Sequence, residues 1–208
     1  MNKKNKIFGI GLGRTGTSSL GTACKMLGYT LKENDFKLTK KVREGDIQSA
    51  LKVAKRYDCM EDFPWCLVYK ELDEKFPNSK FILTVRKNSK TWIKSYIYQS
   101  IRGRLEVRKE YPRIYSYEYL SEYPIGNEDE WLKIYKNHNK DVRKYFKDNP
   151  NFIELCWEKG HGWKELCDFI DEPMPSISFP HRKWASYVYY DEVYEIAKKN
   201  PRRYFGLE

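Results

Sequence analysis

The most informative stretch of the sequence reads Gly11-Leu12-Gly13-Arg14-Thr15-Gly16-Thr17-Ser18. It follows the short apolar run at 7–10 and leads into 19–27, whose composition is typical of a helix. A strand, a glycine-rich turn and a helix in this order predict a phosphate-binding loop. In such a loop the backbone N–H groups of the turn and the positive end of the helix dipole converge on an anion. The alternative is a tight strand-to-helix turn that binds no ligand.

The loop differs from that of an ATP or GTP hydrolase at one position. The spacing of G-x-x-x-x-G-K-[ST] is kept, but Thr17 replaces the lysine, and Arg14 brings a cation inside the loop. Such hydrolases also need an acidic residue at the end of a second strand to hold Mg²⁺. The best later strand, 81–85, is followed by Arg86. The sequence therefore predicts a phosphate site built from cationic side chains, with no metal, and disfavours a P-loop nucleotide kinase or NTPase.

Short apolar runs alternate with segments of helical periodicity along the chain. This alternation predicts an α/β fold of the P-loop-like, three-layer type, with a central parallel sheet of four to five strands flanked by helices. Ligands bind at the carboxyl ends of the strands in such sheets, so we expect the loop, Asp62 and Arg86 to share one cleft. The strands are predicted at 7–10, 29–32, 57–60, 81–85 and 152–155, and the helices at 19–27, 46–54, 67–72, 89–100, 129–146, 163–170 and 191–199, with 33–43 as a loop or partial helix.

The length of 208 residues predicts a single domain, 1–208. Within it, residues 102–127 are polar, charged and tyrosine-rich, and we interpret them as an inserted helical or loop segment on the acceptor side. No apolar run approaches the ~20 residues that a membrane span needs. The five cysteines are odd in number and form no C-x-x-C pair, which favours a reducing cytoplasm over a disulfide framework or a zinc site.

The chain carries a net charge of +10. This excess of positive charge suits an anionic ligand, a nucleic acid or simply a solvated basic surface. Lysine and arginine are spread along the chain and form no basic-aromatic stripe or known nucleic-acid motif. We therefore predict no nucleic-acid partner.

Two motifs together resemble those of sulfotransferases that use 3′-phosphoadenosine 5′-phosphosulfate (PAPS). The segment Arg14-Thr15-Gly16-Thr17-Ser18 resembles their 5′-phosphosulfate loop, and 81–95, a strand ending in Arg86 with a serine on the next helix, resembles their 3′-phosphate motif. Further stretches, at 61–64, 135–139 and 160–167, are similar to a small bacterial and viral-type branch of this superfamily. The resemblance covers most of the chain.

The resemblance implies PAPS as donor, adenosine 3′,5′-bisphosphate (PAP) as product, no required metal, and a hydroxyl or amine of a small-molecule or glycan-type acceptor. Ser95 stands one residue further from Arg86 than the usual motif has it, so Ser89 is its alternative. The residues implied to bind the cofactor are Gly13, Arg14, Thr15, Gly16, Thr17, Ser18, Arg86, Ser95, Arg182 and Lys183.

Two residues are the candidates for catalysis. Arg14 stays protonated and would stabilise the charge that develops on the leaving oxygen. Asp62, in Asp62-Phe63-Pro64, occupies the place of the family's histidine before x-Pro and is predicted to be the general base, with Glu61 as the alternative. Nearby arginines should lower the pKa of Asp62, whereas an apolar pocket would raise it. A purely structural role for Asp62, and a nucleotide-binding protein without catalysis, are the competing interpretations.

Overall fold

The computed structural model describes residues 5–105, 123–181 and 190–201. Its elements confirm the predicted α/β class. The strands are β1 Ile7–Gly9, β2 Leu31–Lys32, β3 Cys59–Glu61, β4 Lys80–Thr84 and β5 Phe152–Leu155. The helices are α1 Thr17–Met26, α2 Phe36–Arg43, α3 Ile47–Ala54, α4 Tyr69–Lys75, α5 Ser89–Leu105, α6 Glu128–Tyr145, α7 Trp163–Ile170 and α8 Tyr190–Lys199, with 3₁₀ turns at Trp65–Leu67 and Trp157–Lys159.

The strands form one parallel sheet of five strands in the order β2-β3-β1-β4-β5. The first strand lies in the middle, where Gly9 pairs with Glu61 on one side and with Ile82 on the other. All five carboxyl ends point to the same edge because the strands are parallel. The segments that follow β1, β3 and β4 therefore emerge next to one another.

Successive residues of the strands point to opposite faces, and each face carries a core cluster. Phe8 joins the apolar side chains of α3 and α4, whereas Ile7 joins those of α1 and α7. Burial on both faces explains why the central strands β1 and β4 are mainly apolar without alternation. The helices hold the sheet from two sides, and this fixes the loops at its carboxyl edge.

The structure sharpens two local predictions. The segment 33–43, predicted as a loop or partial helix, is a helix from Phe36 onward (α2), where Asp35 caps it by accepting a hydrogen bond from the Leu38 N–H at 2.9 Å. The helix predicted at 67–72 begins at Tyr69 and is preceded by the 3₁₀ turn Trp65–Leu67. The proline at position 64 explains this irregular entry, since its ring removes a backbone donor.

The chain divides into two compact units. The first comprises Met1–Lys87 and His138–Arg182 and contains the sheet. The second comprises Asn88–Asn137 and Lys183–Glu208. In the second unit the aromatic side chains of α5 and α6 pack together, with Trp92 stacked on Tyr135 at 4.5 Å between ring centroids.

None of the described helices has the length and apolar character that a membrane span requires. Most of the predicted insertion, residues 106–122, lies outside the described part of the chain.

Candidate active site

The loop Gly11–Ser18 lies between β1 and α1 and makes a tight turn. Arg14 and Gly16 have φ angles of 67° and 96°, a left-handed conformation that costs an arginine energy and that glycine adopts freely. Gly11 lies against β4, where an added Cβ would come within 2.5 Å of the Thr84 carbonyl oxygen. Thr15 turns its hydroxyl inward, 2.6 Å from the Leu12 carbonyl and 2.7 Å from the Thr84 hydroxyl.

The open side of the loop presents backbone donors. Within the part of the chain that the structure describes, the N–H groups of Gly16, Thr17 and Ser18 donate to no other residue. They stand at the N-terminus of α1, where the helix dipole is positive and the first turn has no acidic residue. Arg14 is partly exposed beside them. These donors suit an oxyanion such as a phosphate.

Trp157, in the 3₁₀ turn after β5, packs against the loop. Its indole N–H donates to the Gly16 carbonyl oxygen at 3.0 Å. A Cβ added to Gly16 would meet the same indole, 2.5 Å from Nε1. The side chain of Trp157 therefore closes one wall of the loop, and this contact is possible because residue 16 is glycine.

Gly16→Ala is expected to lower stability and to weaken anion binding together. The left-handed backbone alone costs a non-glycine residue of order 1–3 kcal/mol, and the methyl group displaces Trp157. Thermal unfolding and calorimetric titration with PAP measure the two effects. Gly45→Ala is the control, because Gly45 has a φ of 96° but no atom within 4 Å of its added Cβ. It should lower stability without weakening PAP binding. Equal PAP affinity in wild type and Gly16→Ala would contradict the role of the loop.

Asp62 follows β3 and is joined to the loop. Its Oδ2 accepts a hydrogen bond from the Thr17 hydroxyl at 3.0 Å, and its Oδ1 accepts one from the Phe63 N–H at 3.0 Å. Asn34, just after β2, donates a third. The backbone of Asp62 is left-handed, with φ 71°. The two predicted catalytic residues, Arg14 and Asp62, thus both have left-handed backbones.

Burial raises the pKa of Asp62 from the ordinary 3.8 to about 6, although hydrogen bonds from Thr17, Phe63 and Asn34 and the charge of Arg14 lower it. The expected depression by nearby arginines is therefore wrong in its net direction. Removal of the carboxylate from water outweighs the stabilisation of its charge. The raised pKa makes Asp62 a stronger base than an exposed aspartate.

Arg86 follows β4 by two residues, as the sequence predicts, and pairs with a carboxylate. Its Nη2 lies 3.1 Å from Oε1 of Glu158, and the Lys87 N–H donates to Oε2 of Glu158 at 2.9 Å. The side chain of Arg86 keeps 22% of its surface exposed. Arg86 is therefore partly open to a ligand while one edge is held by Glu158.

The structure brings together the loop, Asp62 and Arg86 at the carboxyl edge of the sheet, because they follow the adjacent strands β1, β3 and β4. Ser89 begins α5, and Ser95 is buried within it, with 6% of its surface exposed. This helix belongs to the second unit, and both serines as 3′-phosphate ligands stay predictions. Arg182 and Lys183 lie outside the described residues.

The alternative base, Glu61, is the last residue of β3, with 2% of its surface exposed beneath α1. Its side chain lies near Gly21 in the first half of that helix. Glu61 therefore supports the packing of α1 on the sheet, whereas Asp62 faces the loop.

The two histidines of the resembling motifs make backbone contacts. His138 Nε2 lies 2.8 Å from the Ile10 carbonyl oxygen at the end of β1, and burial lowers its pKa. The neutral ring therefore donates this bond and supports the strand beneath the loop. His161 Nδ1 accepts from the Cys156 N–H at 3.1 Å and closes the turn before α7.

Sequence reasoning did not single out Asn34, Trp157 or Glu158. The signal that identified Asp62 and Arg86 applies to them as well, since they follow β2 and β5. Their strands were predicted, but the order of the strands in the sheet was not. Only that order shows that they flank Asp62 and Arg86.

The comparisons with known proteins agree with this geometry. The sequence profile of the sulfotransferase domain family matches residues 6–187. A relative from Aspergillus versicolor, the Ava biosynthesis cluster protein M, is 28% identical over an aligned length of 217 residues, and the alignment covers 85% of this chain and 80% of that protein. The match confirms the resemblance that the two phosphate motifs indicated. The chain belongs to the sulfotransferase domain family, and its fold and family are those of a transferase of the sulfotransfer type.

Proposed function

We propose that the protein transfers a sulfuryl group from PAPS to a hydroxyl or amine of a small-molecule acceptor. The observation that carries the proposal is the hydrogen bond of 3.0 Å between the Thr17 hydroxyl and Asp62 Oδ2. It joins the anion-binding loop to a carboxylate whose pKa is raised to about 6. A base next to the site of the transferred group is what an acceptor hydroxyl needs.

The donor fits the residues at the carboxyl edge of the sheet. The N–H groups of Gly16, Thr17 and Ser18, together with Arg14, suit the phosphosulfate, and Gly13 and Thr15 shape the turn that aims these donors. Arg86 suits the 3′-phosphate because a guanidinium binds oxyanions through paired N–H groups. Ser95, Arg182 and Lys183 are further donor ligands that the resemblance implies, and their role stays a prediction.

In this proposal the acceptor attacks sulfur as the bond between sulfur and the bridging oxygen breaks. Asp62 takes the proton of the acceptor hydroxyl, and PAP leaves with the bridging oxygen. Arg14 and the loop N–H groups stabilise the charge on that oxygen, which is larger in the transition state than in the ground state. No metal is needed to neutralise it, since the cations are side chains.

The acceptor is proposed to be a small molecule, or a glycan-type molecule of similar size. The Aspergillus versicolor relative is named for a biosynthesis cluster, which favours a small metabolite. All five cysteines are buried and lie outside any disulfide, which supports the proposed cytoplasmic setting.

The rate should depend on pH through Asp62. The carboxylate is the active form, so kcat/KM should fall about tenfold per pH unit below about 6 and level off above it. The measurement is a pH profile of sulfuryl transfer at low acceptor concentration, with the stability of the protein checked at each pH. A profile of kcat/KM that is flat over an assay range of about pH 4.5 to about pH 7 would exclude Asp62 as the base.

The direct test is an acceptor screen with PAPS labelled on sulfur. We expect transfer of the label to one class of phenols, alcohols, amines or sugars, with PAP released in equal amount. Binding of PAP without transfer to any class would favour a nucleotide-binding protein that has lost catalysis. Phosphoryl transfer from Mg-ATP to the same acceptors would favour a kinase.

A further inference from the structure

Glu158 holds Arg86 and the backbone next to it with both carboxylate oxygens. Oε1 lies 3.1 Å from Arg86 Nη2, and Oε2 accepts the Lys87 N–H at 2.9 Å. The two contacts fix the arginine side chain and the chain direction after β4 at the same time. A single surface ion pair would restrain the side chain alone.

Glu158 is itself anchored on both sides. The preceding residue, Trp157, donates its indole N–H to Gly16 in the loop. The turn is closed by bonds from the Lys159 N–H to the Cys156 carbonyl at 2.9 Å and from the Cys156 N–H to His161 at 3.1 Å. One short turn after β5 therefore touches the phosphate loop through Trp157 and the Arg86 segment through Glu158.

The ion pair between Glu158 and Arg86 is not sealed from solvent. A guanidinium has N–H donors on several edges, and Glu158 meets the Nη2 of Arg86. Both side chains are partly open to solvent, with 22% and 28% of their surfaces exposed. An ion pair of this kind adds little to stability, so its main effect is on the orientation of Arg86.

We infer that Glu158 is a positioning residue, which orients the Arg86 guanidinium so that it discriminates for a 3′-phosphate on the bound nucleotide. The inference rests on the proposed function, because it assigns a purpose to Arg86 in that site. Glu158 does not touch the reacting atoms and acts through Arg86.

Positioning and simple electrostatics predict opposite results when the carboxylate is removed. Loss of a negative charge near an anion site should tighten the binding of every phosphate ligand. Loss of positioning should weaken the binding of PAP and leave adenosine 5′-monophosphate (AMP), which has no 3′-phosphate, unaffected. The ratio of the two affinities is therefore a readout that a merely structural role does not change.

The experiment is calorimetric titration of the wild type and of Glu158→Ala, Glu158→Gln and Glu154→Ala with PAP and with AMP. We expect Glu158→Ala to raise the Kd for PAP about tenfold and to change that for AMP by less than about twofold. Glu158→Gln should lose less, since its amide oxygen still accepts one bond. Glu154→Ala is the matched control, because Glu154 lies on β5, four residues before Glu158, and pairs with Arg143 of α6. It should leave the ratio unchanged.

Thermal unfolding verifies that each variant is folded, and Glu158→Gln serves the same test if Glu158→Ala does not fold. Equal weakening of PAP binding and AMP binding would overturn the inference and indicate a structural role for Glu158. Tighter PAP binding would also overturn it, and would indicate that the Glu158 carboxylate competes with the phosphate for Arg86. If the wild type prefers PAP over AMP and the Glu158 variants keep the wild-type affinities for both nucleotides, the inference is overturned but the proposed donor is not. A wild type with no preference for PAP over AMP would overturn both the inference and the proposed donor.

Discussion

Asp62→Asn is expected to reduce sulfuryl transfer by about 10²–10⁴-fold while leaving PAP affinity unchanged, because general base catalysis contributes that much. Asparagine has the shape of aspartate. Its amide oxygen still accepts from the Phe63 N–H and its NH2 donates to the Thr17 hydroxyl, which can accept, so the loop keeps its geometry. It has no basic oxygen to take the acceptor proton. The measurements are single-turnover transfer from labelled PAPS and calorimetric titration with PAP.

Asp58→Asn is the matched control, since Asp58 lies just before the other end of β3 and bonds to Thr30. It should not affect transfer. Full turnover in Asp62→Asn would end the role of Asp62 as base, and lost PAP binding would show that its role is to hold the loop.

The same substitution has an expected effect on stability with a defined sign. The pKa of Asp62 is raised from 3.8 to about 6 in the folded protein. The protonated carboxyl group therefore stabilises the fold fully below pH 3.8, and this contribution is lost as the pH rises through about 6. At pH 7 the buried charge is a cost. Asp62→Asn should therefore stabilise the fold at neutral pH, because it removes the buried charge. Destabilisation would instead indicate a structural role.

Arg86→Ala is expected to weaken PAP binding by roughly 2–3 kcal/mol, which is about 30- to 150-fold, because it removes charged hydrogen bonds to the 3′-phosphate. The binding of AMP should change little. The measurement is calorimetric titration with both nucleotides, without metal.

Lys87→Ala is the control for charge. It removes a neighbouring cation, and the backbone N–H that Glu158 accepts from residue 87 is kept. Its PAP affinity should fall much less than that of Arg86→Ala. An unchanged affinity in Arg86→Ala would remove Arg86 from the site.

The sequence was sufficient for the sheet and for the residues that follow its strands. The apolar runs were long enough to identify every strand of the sheet, and the loop identified the strand that carries it. Asp62 and Arg86 were expected to share one cleft because both follow predicted strands of a parallel sheet. Their roles were implied by the resemblance of the segments around them to sulfotransferase motifs.

The environment of those residues was not predictable in the same way. The pKa of Asp62 depends on how far burial outweighs the charge of Arg14, and this balance is set by packing across three strands. The contacts of Glu158 with Arg86 and of Trp157 with Gly16 join residues 72 and 141 positions apart. Neither the spacing of motif residues nor the periodicity of apolar residues predicts contacts between residues so far apart in the sequence.

The central claim is that a loop without the usual lysine, next to a strand that ends in an arginine, binds a nucleotide with a 3′-phosphate. The most direct measurement is calorimetric titration of the whole protein with PAP, ATP and ADP, each with and without Mg²⁺. We predict tight binding of PAP that does not depend on Mg²⁺, and weaker binding of ATP and ADP. Preference for Mg-ATP over PAP would contradict the account.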